Sequence, residues 1–169
     1  MKNSKNGLMY GLFFFYLIVV VWIILFKMQF YFSDLPHMRS INLIPFEASI
    51  RVGGRIDYSE IIGNFLIFVP FGFFLEFLWQ KKHTFLKLCS CILFSVVLEA
   101  FQFFFSIGAT DITDVLMNSF GGISGLTFTK ILYFTCRNHV KLTIFLHYFV
   151  IFCSVVCSFF LFLLVFFNI

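Results

Sequence analysis

The sequence predicts an all-α membrane protein of about five transmembrane helices, its N-terminus cytoplasmic and its C-terminus outside. Three observations predict it. Of the 169 residues, 61% are hydrophobic and only 12% charged, against roughly 25% charged in a soluble domain. The apolar residues gather into long runs, with a mean hydropathy of +1.00 over the chain. The basic residues, finally, are divided unequally between the two ends of those runs. Such a chain has too little polar surface to dissolve as a monomer. It is also too short for two large domains, so one helical domain in lipid over residues 1–169 is expected.

The first run, Leu8–Phe26, is long enough to cross a bilayer and follows Lys2 and Lys5. No small-x-small cleavage site follows it, so it reads as a retained span and not a removed signal peptide. Ile61–Leu78 is the second expected span, interrupted by Pro70 and Gly72. Phe85–Phe105 is the third, Ile112–Phe134 the fourth and Leu142–Phe167 the fifth. The fourth carries Asn118, Ser119, Gly121, Gly122, Ser124, Gly125, Thr127 and Thr129, a composition unsuited to lipid on all sides. Gly121 and Gly125 have the spacing that lets two helix backbones approach closely. This helix is expected in the middle of the bundle, behind Phe-rich neighbours.

Orientation follows from the basic residues. A cytoplasmic N-terminus collects Lys2, Lys5, Lys81, Lys82, Lys87, Lys130, Arg137 and Lys141 inside and leaves Lys27, Arg39, Arg51 and Arg55 outside, eight against four. The loop Ser106–Thr110 has no basic residue, as expected of an outer loop. The net charge of +4 therefore reflects topology and gives no reason to expect nucleic acid. The 30 phenylalanines supply bulk for lipid-facing surface. The five cysteines include no Cys-x-x-Cys pair and read as small apolar residues.

This topology places the acids unevenly. Glu76 lies at the cytoplasmic end of the second span; Asp34, Glu47, Asp57, Glu60, Glu99, Asp111 and Asp114 lie in outer loops or the outer half of the membrane. Glu99 is inside the third span, where an unpaired charge costs about 2.5 kcal/mol or more and marks a functional site by default. Gln102 shares its face. Asp111, Asp114, Asn118, Gly121 and Gly125 form one stripe of the fourth helix in steps of three and four, and Glu60 and Asn64 do the same at the start of the second. Such stripes can converge on one outward-facing polar pocket. The first loop, with Arg39, Asn42, Pro45 and Phe46, could fold over it as a re-entrant or lid segment, because irregular backbone at membrane depth needs protein cover or a cavity. Plainer readings stand beside these. Asp111 could be only an N-cap, with Asp114 favouring the helix N-terminus electrostatically; Asn64 could merely start a helix, Pro70 merely kink it, and Arg39 be a solvated loop charge.

At these residues the chain resembles the VanZ family of bacterial membrane proteins. The resemblance rests on Arg39-Ser-Ile-Asn42-Leu-Ile-Pro45-Phe46, on Asn64 followed by Phe68-Val-Pro70-Phe71-Gly72, and on Glu99 with Gln102. It continues through Ile107-Gly-Ala-Thr-Asp111-Ile-Thr-Asp114-Val to Asn118 and Gly121-Gly122, and fades after about Leu132. It implies a single VanZ-like transmembrane domain in the bacterial plasma membrane. It also implies low-level resistance to teicoplanin and related lipoglycopeptides, independent of rebuilding peptidoglycan termini to D-lactate. No established reaction comes with it. Many relatives carry an arginine shortly before the first aspartate of the Asp-x-x-Asp motif, where this chain has Gly108-Ala109-Thr110. A mechanism needing that arginine would have to draw it from Arg39 or another first-loop arginine.

Three functions compete. In a binding protein, Arg39, Asn42, Asn64, Gln102 and Asn118 would line a pocket for a lipid-linked cell-wall component or a lipoglycopeptide's acyl tail. In a membrane enzyme acting on a lipid or cell-wall precursor, Glu99 would be general base, and Asp111 and Asp114 an acid/base pair or ligands for a hard cation such as Mg²⁺ or Ca²⁺. A transporter ranks last, because no inverted repeat is evident. The residues name no cofactor, no specific ligand and no oligomeric state.

Overall fold

The computed structural model describes residues 2–26, 38–47, 58–136, 140–148, 150–151 and 155. Expectations for Lys27, Asp34, Arg51, Arg55, Asp57 and Arg137, and for most of the fifth span beyond residue 151, lie outside the described residues. The elements in chain order are α1 (Lys2–Phe26), β1 (Met38–Asn42), α2 (Tyr58–Leu78), α3 (Thr84–Phe105), β2 (Ile107–Asp111) and α4 (Ile112–Thr135). Residues 140–148 are also helical. The protein is mostly helical. Three of its described helices are long and apolar enough to cross a membrane: α1 over Gly7–Leu25, with mean hydropathy 2.6, and α2 and α3, each at 2.0. α4 has the length, but its Asn, Ser, Thr and Gly content leaves it less apolar than the other three.

The two strands correct the all-α expectation. Ser106 adopts a left-handed conformation (φ 56°, ψ 38°) that ends α3, its N–H turned back to the carbonyls of Gln102 and Phe103. The chain thereby reverses and Ile107–Asp111 runs extended. Parallel pairing with Met38–Asn42 follows, in the register Met38 with Ile107 through Asn42 with Asp111. The pairing partner is distant in sequence, and each segment is too short to show an alternating pattern of its own.

The chain forms two compact units. One comprises Met1–Ile18 with Ile131–Ile169; Leu142, Leu146 and Val150 form its buried stripe, at steps of four. The other, Val19–Lys130, holds every candidate site residue. Within it α2 and α3 form an antiparallel hairpin through the turn at residues 79–83. At the hairpin's closed end Lys87 Nζ donates to Glu76 Oε2 at 2.7 Å, with both side chains buried. Phe68, Phe71 and Phe94 cluster between the two helices, with the rings of Phe71 and Phe94 stacked 4.8 Å apart.

α4 lies against α2 through glycine. A Cβ on Gly72 would collide with the carbonyl oxygen of Gly122, one on Gly121 with that of Phe65, and one on Gly125 with that of Val69. The paired backbones advance in the same direction, so α4 runs parallel to α2. On its other side α4 meets α3, where Cys91 sits beside Gly122 and Ser95 Oγ donates to the Val115 carbonyl at 3.4 Å. Near its far end Lys130 Nζ donates to Thr84 Oγ1 at 3.2 Å. The Gly121/Gly125 spacing thus serves the close helix contact expected of it.

Candidate functional site

The polar residues converge where β2 hands over to α4. Asp111 ends the strand and caps the helix: its Oδ1 accepts the Thr113 N–H at 2.7 Å, satisfying one of the donors that every helix start leaves open. Its Oδ2 accepts from Asn42 Nδ2 at 3.2 Å, tying the end of β1 to the same carboxylate. The backbone N–H of Asp111 donates to Glu99 Oε2 at 3.2 Å. In a capping box the acid three residues into the helix performs that last task. Here that position is Asp114, whose Oδ1 instead accepts from Asn64 Nδ2 on α2 at 2.6 Å. Glu99 supplies the missing half of the box from another helix.

The first loop joins through its backbone. Asn42 Oδ1 accepts the Ile44 N–H at 3.1 Å. Phe46, at a left-handed φ of 65°, donates its N–H to Thr113 Oγ1 at 2.8 Å. The Thr110 hydroxyl donates to the Glu99 carbonyl at 3.2 Å. Gln102 Nε2 donates to the Ile24 carbonyl of α1 at 2.9 Å. Separate sets of bonds thus tie both strands to α3 and α4 at Asp111, α2 to α4 at Asp114, and α3 to α1 at Gln102.

Glu99, Gln102, Asp111 and Asn118 are all buried, Asn118 completely. Asn118 lies one turn below Asp114, on the stripe that continues to the glycines. Neither its Nδ2 nor its Oδ1 meets a hydrogen-bond partner among the described residues, and Gln102 Oε1 is in the same position. Buried amides are nearly always satisfied, so these atoms stand out as places for a polar guest. Of the sequence-predicted residues, Glu99, Asp111 and Asn42 are joined by hydrogen bonds, and Asp114 is joined to Asn64. Gln102 and Asn118 are buried in the same unit without a direct bond to that set. Arg39 is placed by its backbone, opposite Gly108 in the strand pair; its side chain lies outside the described residues. Among the described residues no three of His, Cys, Asp and Glu gather as a metal site.

Sequence reasoning missed Thr113, Ser95 and the Glu76–Lys87 pair. Ser95 sits four residues before Glu99, and Lys87 and Cys91 continue the same buried stripe down α3. That four-residue spacing was the available signal. Lys87, counted with the cytoplasmic cations that set topology, is 2% exposed and paired. Folding the second and third spans into a hairpin would have placed it opposite Glu76. Thr113 had no signal beyond its place between the two aspartates.

Fold and site together define a mostly helical protein with three helices long and apolar enough to cross a membrane, and a buried polar junction where a short strand pair meets α3 and the start of α4. The VanZ/LLP1 family model matches residues 13–133, and the chain belongs to this family. Protein VanZ of Enterococcus faecium is similar to it, 39% identical over 118 residues, which are 69% of this chain and 70% of that one. No solved structure matches.

Proposed function

We propose that the protein is a multi-pass protein of the bacterial plasma membrane, N-terminus inside and C-terminus outside. In this reading it confers low-level resistance to teicoplanin and related lipoglycopeptides. It would do so by holding a lipid-linked envelope component, or the drug's own acyl chain, at an outward-facing pocket built on the Asp111 junction. Family membership and the similarity to Protein VanZ support the resistance.

One observation supports binding over catalysis. The aspartates are committed: Asp111 holds Thr113 and Asn42, and Asp114 holds Asn64. Among the neutral groups of this unit without protein partners among the described residues are the Asn118 amide, Gln102 Oε1 and Ser119 Oγ. Engaged carboxylates make a rigid frame, whereas amides with donor and acceptor to spare suit a hydrogen-bonding guest. Arg39, Asn42, Asn64, Gln102 and Asn118 are the residues of this pocket. Teicoplanin-type drugs carry an acyl chain and vancomycin does not, so an apolar surface beside the pocket would discriminate between them by the CH₂ groups it covers.

The test is growth inhibition of a susceptible bacterium expressing the protein. Acylated glycopeptides are expected to lose potency while vancomycin keeps its own. Equal protection against both would sink the reading. The alternative is a membrane enzyme modifying a lipid or cell-wall precursor, with Glu99, Asp111 and Asp114 as acid/base or metal-binding groups; the burial of Glu99 favours it. A new envelope lipid that appears with the wild type and vanishes with Glu99→Gln would decide for the enzyme.

A further inference from the structure

Hydrogen bonds at the junction fix how far the strand pair descends between the helices. Asn64, bonded to Asp114, lies six residues beyond the start of α2 at Tyr58. Glu99, bonded to the Asp111 N–H, lies six residues before the end of α3 at Phe105. At about 1.5 Å per residue the Glu99 bond places the start of α4, and the Asn64 bond its first turn, roughly 9 Å below the ends of α3 and α2. The closed end of the hairpin gives the same answer: Asn64 is twelve residues from Glu76, and Glu99 twelve from Lys87, on helices joined by that ion pair. The two helices agree on the depth.

β2 therefore leaves the end of α3 and runs back down beside it. β1 descends in parallel, from Met38 opposite Ile107 to Asn42 opposite Asp111. The turn that follows is held at the bottom by the Ile44 and Phe46 N–H groups. That turn, residues 43–47, carries three exposed apolar side chains, Leu43 at 73%, Ile44 at 60% and Phe46 at 41%, and ends on the exposed Glu47. Phe46 occupies a left-handed conformation that costs a bulky residue energy and that glycine would adopt freely.

We infer that β1 and β2 form a re-entrant ribbon whose tip, Leu43, Ile44 and Phe46, contacts the acyl chains of the surrounding bilayer lipids. Depth argues for this occupant. A rigid apolar turn about 9 Å below the helix ends, beside helices whose own outer faces carry Leu66, Leu93 and Phe101, continues a lipid-facing surface. Each strand bonds its partner along one edge, and the Ile44, Phe46 and Asp111 N–H groups find side-chain acceptors, part of the protein cover that non-helical chain at that depth needs. The inference rests on the reading that α2 and α3 span the bilayer, and the experiment separates the two.

Single tryptophans are placed at Leu43, at Tyr58 and at Leu93 in a chain carrying Trp22→Phe and Trp79→Phe, reconstituted in phospholipid vesicles. Fluorescence quenching is compared between lipids brominated at shallow and at deep acyl positions, and with aqueous iodide. The Leu93→Trp reporter, at mid-α3, should be quenched by the deep bromines, and Tyr58→Trp by the shallow ones or by iodide. Leu43→Trp is expected to lie about 9 Å deeper than Tyr58→Trp and to be shielded from iodide. Ile44→Trp is the second tip reporter should Leu43→Trp not fold. If the Leu93 reporter behaves as expected while the tip reporters are as shallow as Tyr58 or open to iodide, the ribbon is not re-entrant. If the Leu93 reporter is itself not quenched, the spanning reading fails and this inference with it. Neither outcome involves the drug, so the resistance proposal is tested apart.

Discussion

Glu99 is the residue whose placement says most about the rest. A carboxylate within an apolar helix is costly unless bonded, and here it receives the backbone N–H that opens the fourth helix. This makes a prediction that separates structure from charge. In Glu99→Gln the amide oxygen can still accept from Asp111, so the thermal midpoint in detergent should change little, equivalent to less than about 1 kcal/mol. In Glu99→Leu that N–H loses its acceptor while buried, and stability should fall by about 1–3 kcal/mol. Loss of resistance in Glu99→Gln at unchanged stability would show that the negative charge, and not the acceptor, is what function needs. The plain reading of Asp111 as a helix cap is correct as far as it goes. The cap is also the knot that holds Asn42, and a single-residue reading could not contain that second part.

At the scale of elements, α2 and α4 are held by an absence of side chain. A methyl group on Gly125 would meet the Val69 carbonyl, which belongs to helix backbone and cannot move aside as a side-chain end would. Gly125→Ala should therefore destabilise the protein by about 1–3 kcal/mol despite alanine's better helix propensity. Ser124→Ala, on the exposed face one residue earlier, should stay within about 0.5 kcal/mol. Equal melting of the two variants would refute the close contact. At the hairpin's closed end, Lys87→Met leaves Glu76 without this partner and should cost about 3–5 kcal/mol, whereas the Glu76→Met, Lys87→Met double variant should recover most of it. These elements also show what the residues alone could reveal. The helices were legible because long apolar runs leave few alternatives: Ile61–Leu78 became Tyr58–Leu78, and Phe85–Phe105 became Thr84–Phe105. The strands were not. Ile107–Asp111 is extended because Ser106 reverses the chain and because a segment more than sixty residues earlier lies beside it. Neither cause is visible in a five-residue window. The site was legible as a set of residues, since lipid rejects such side chains wherever they stand, but its bonding was not: Asp114 pairs with Asn64 on α2.

For the whole molecule, the bonded depths and the basic residues make one joint prediction. The 79–83 turn carries Lys81 and Lys82, and the Glu76–Lys87 pair lies just within it; the opposite end of the same hairpin carries the polar junction. If the excess of basic residues sets orientation, the turn faces the cytoplasm and the junction faces out. Green fluorescent protein inserted after Gln80 should then fluoresce. A reporter active only outside the cytoplasm, such as alkaline phosphatase, should work when inserted after Ser106. Ser106 is the αL residue that closes α3, so an insertion there also strains the ribbon; the readout of side is the signal of the reporter and not the resistance of the cell. The reverse pattern would put Asn64, Glu99 and Asp111 on the cytoplasmic side. A protein oriented that way could not offer its polar junction to an antibiotic arriving from outside, and the binding proposal would fall while the network of bonds described for the site stood unchanged.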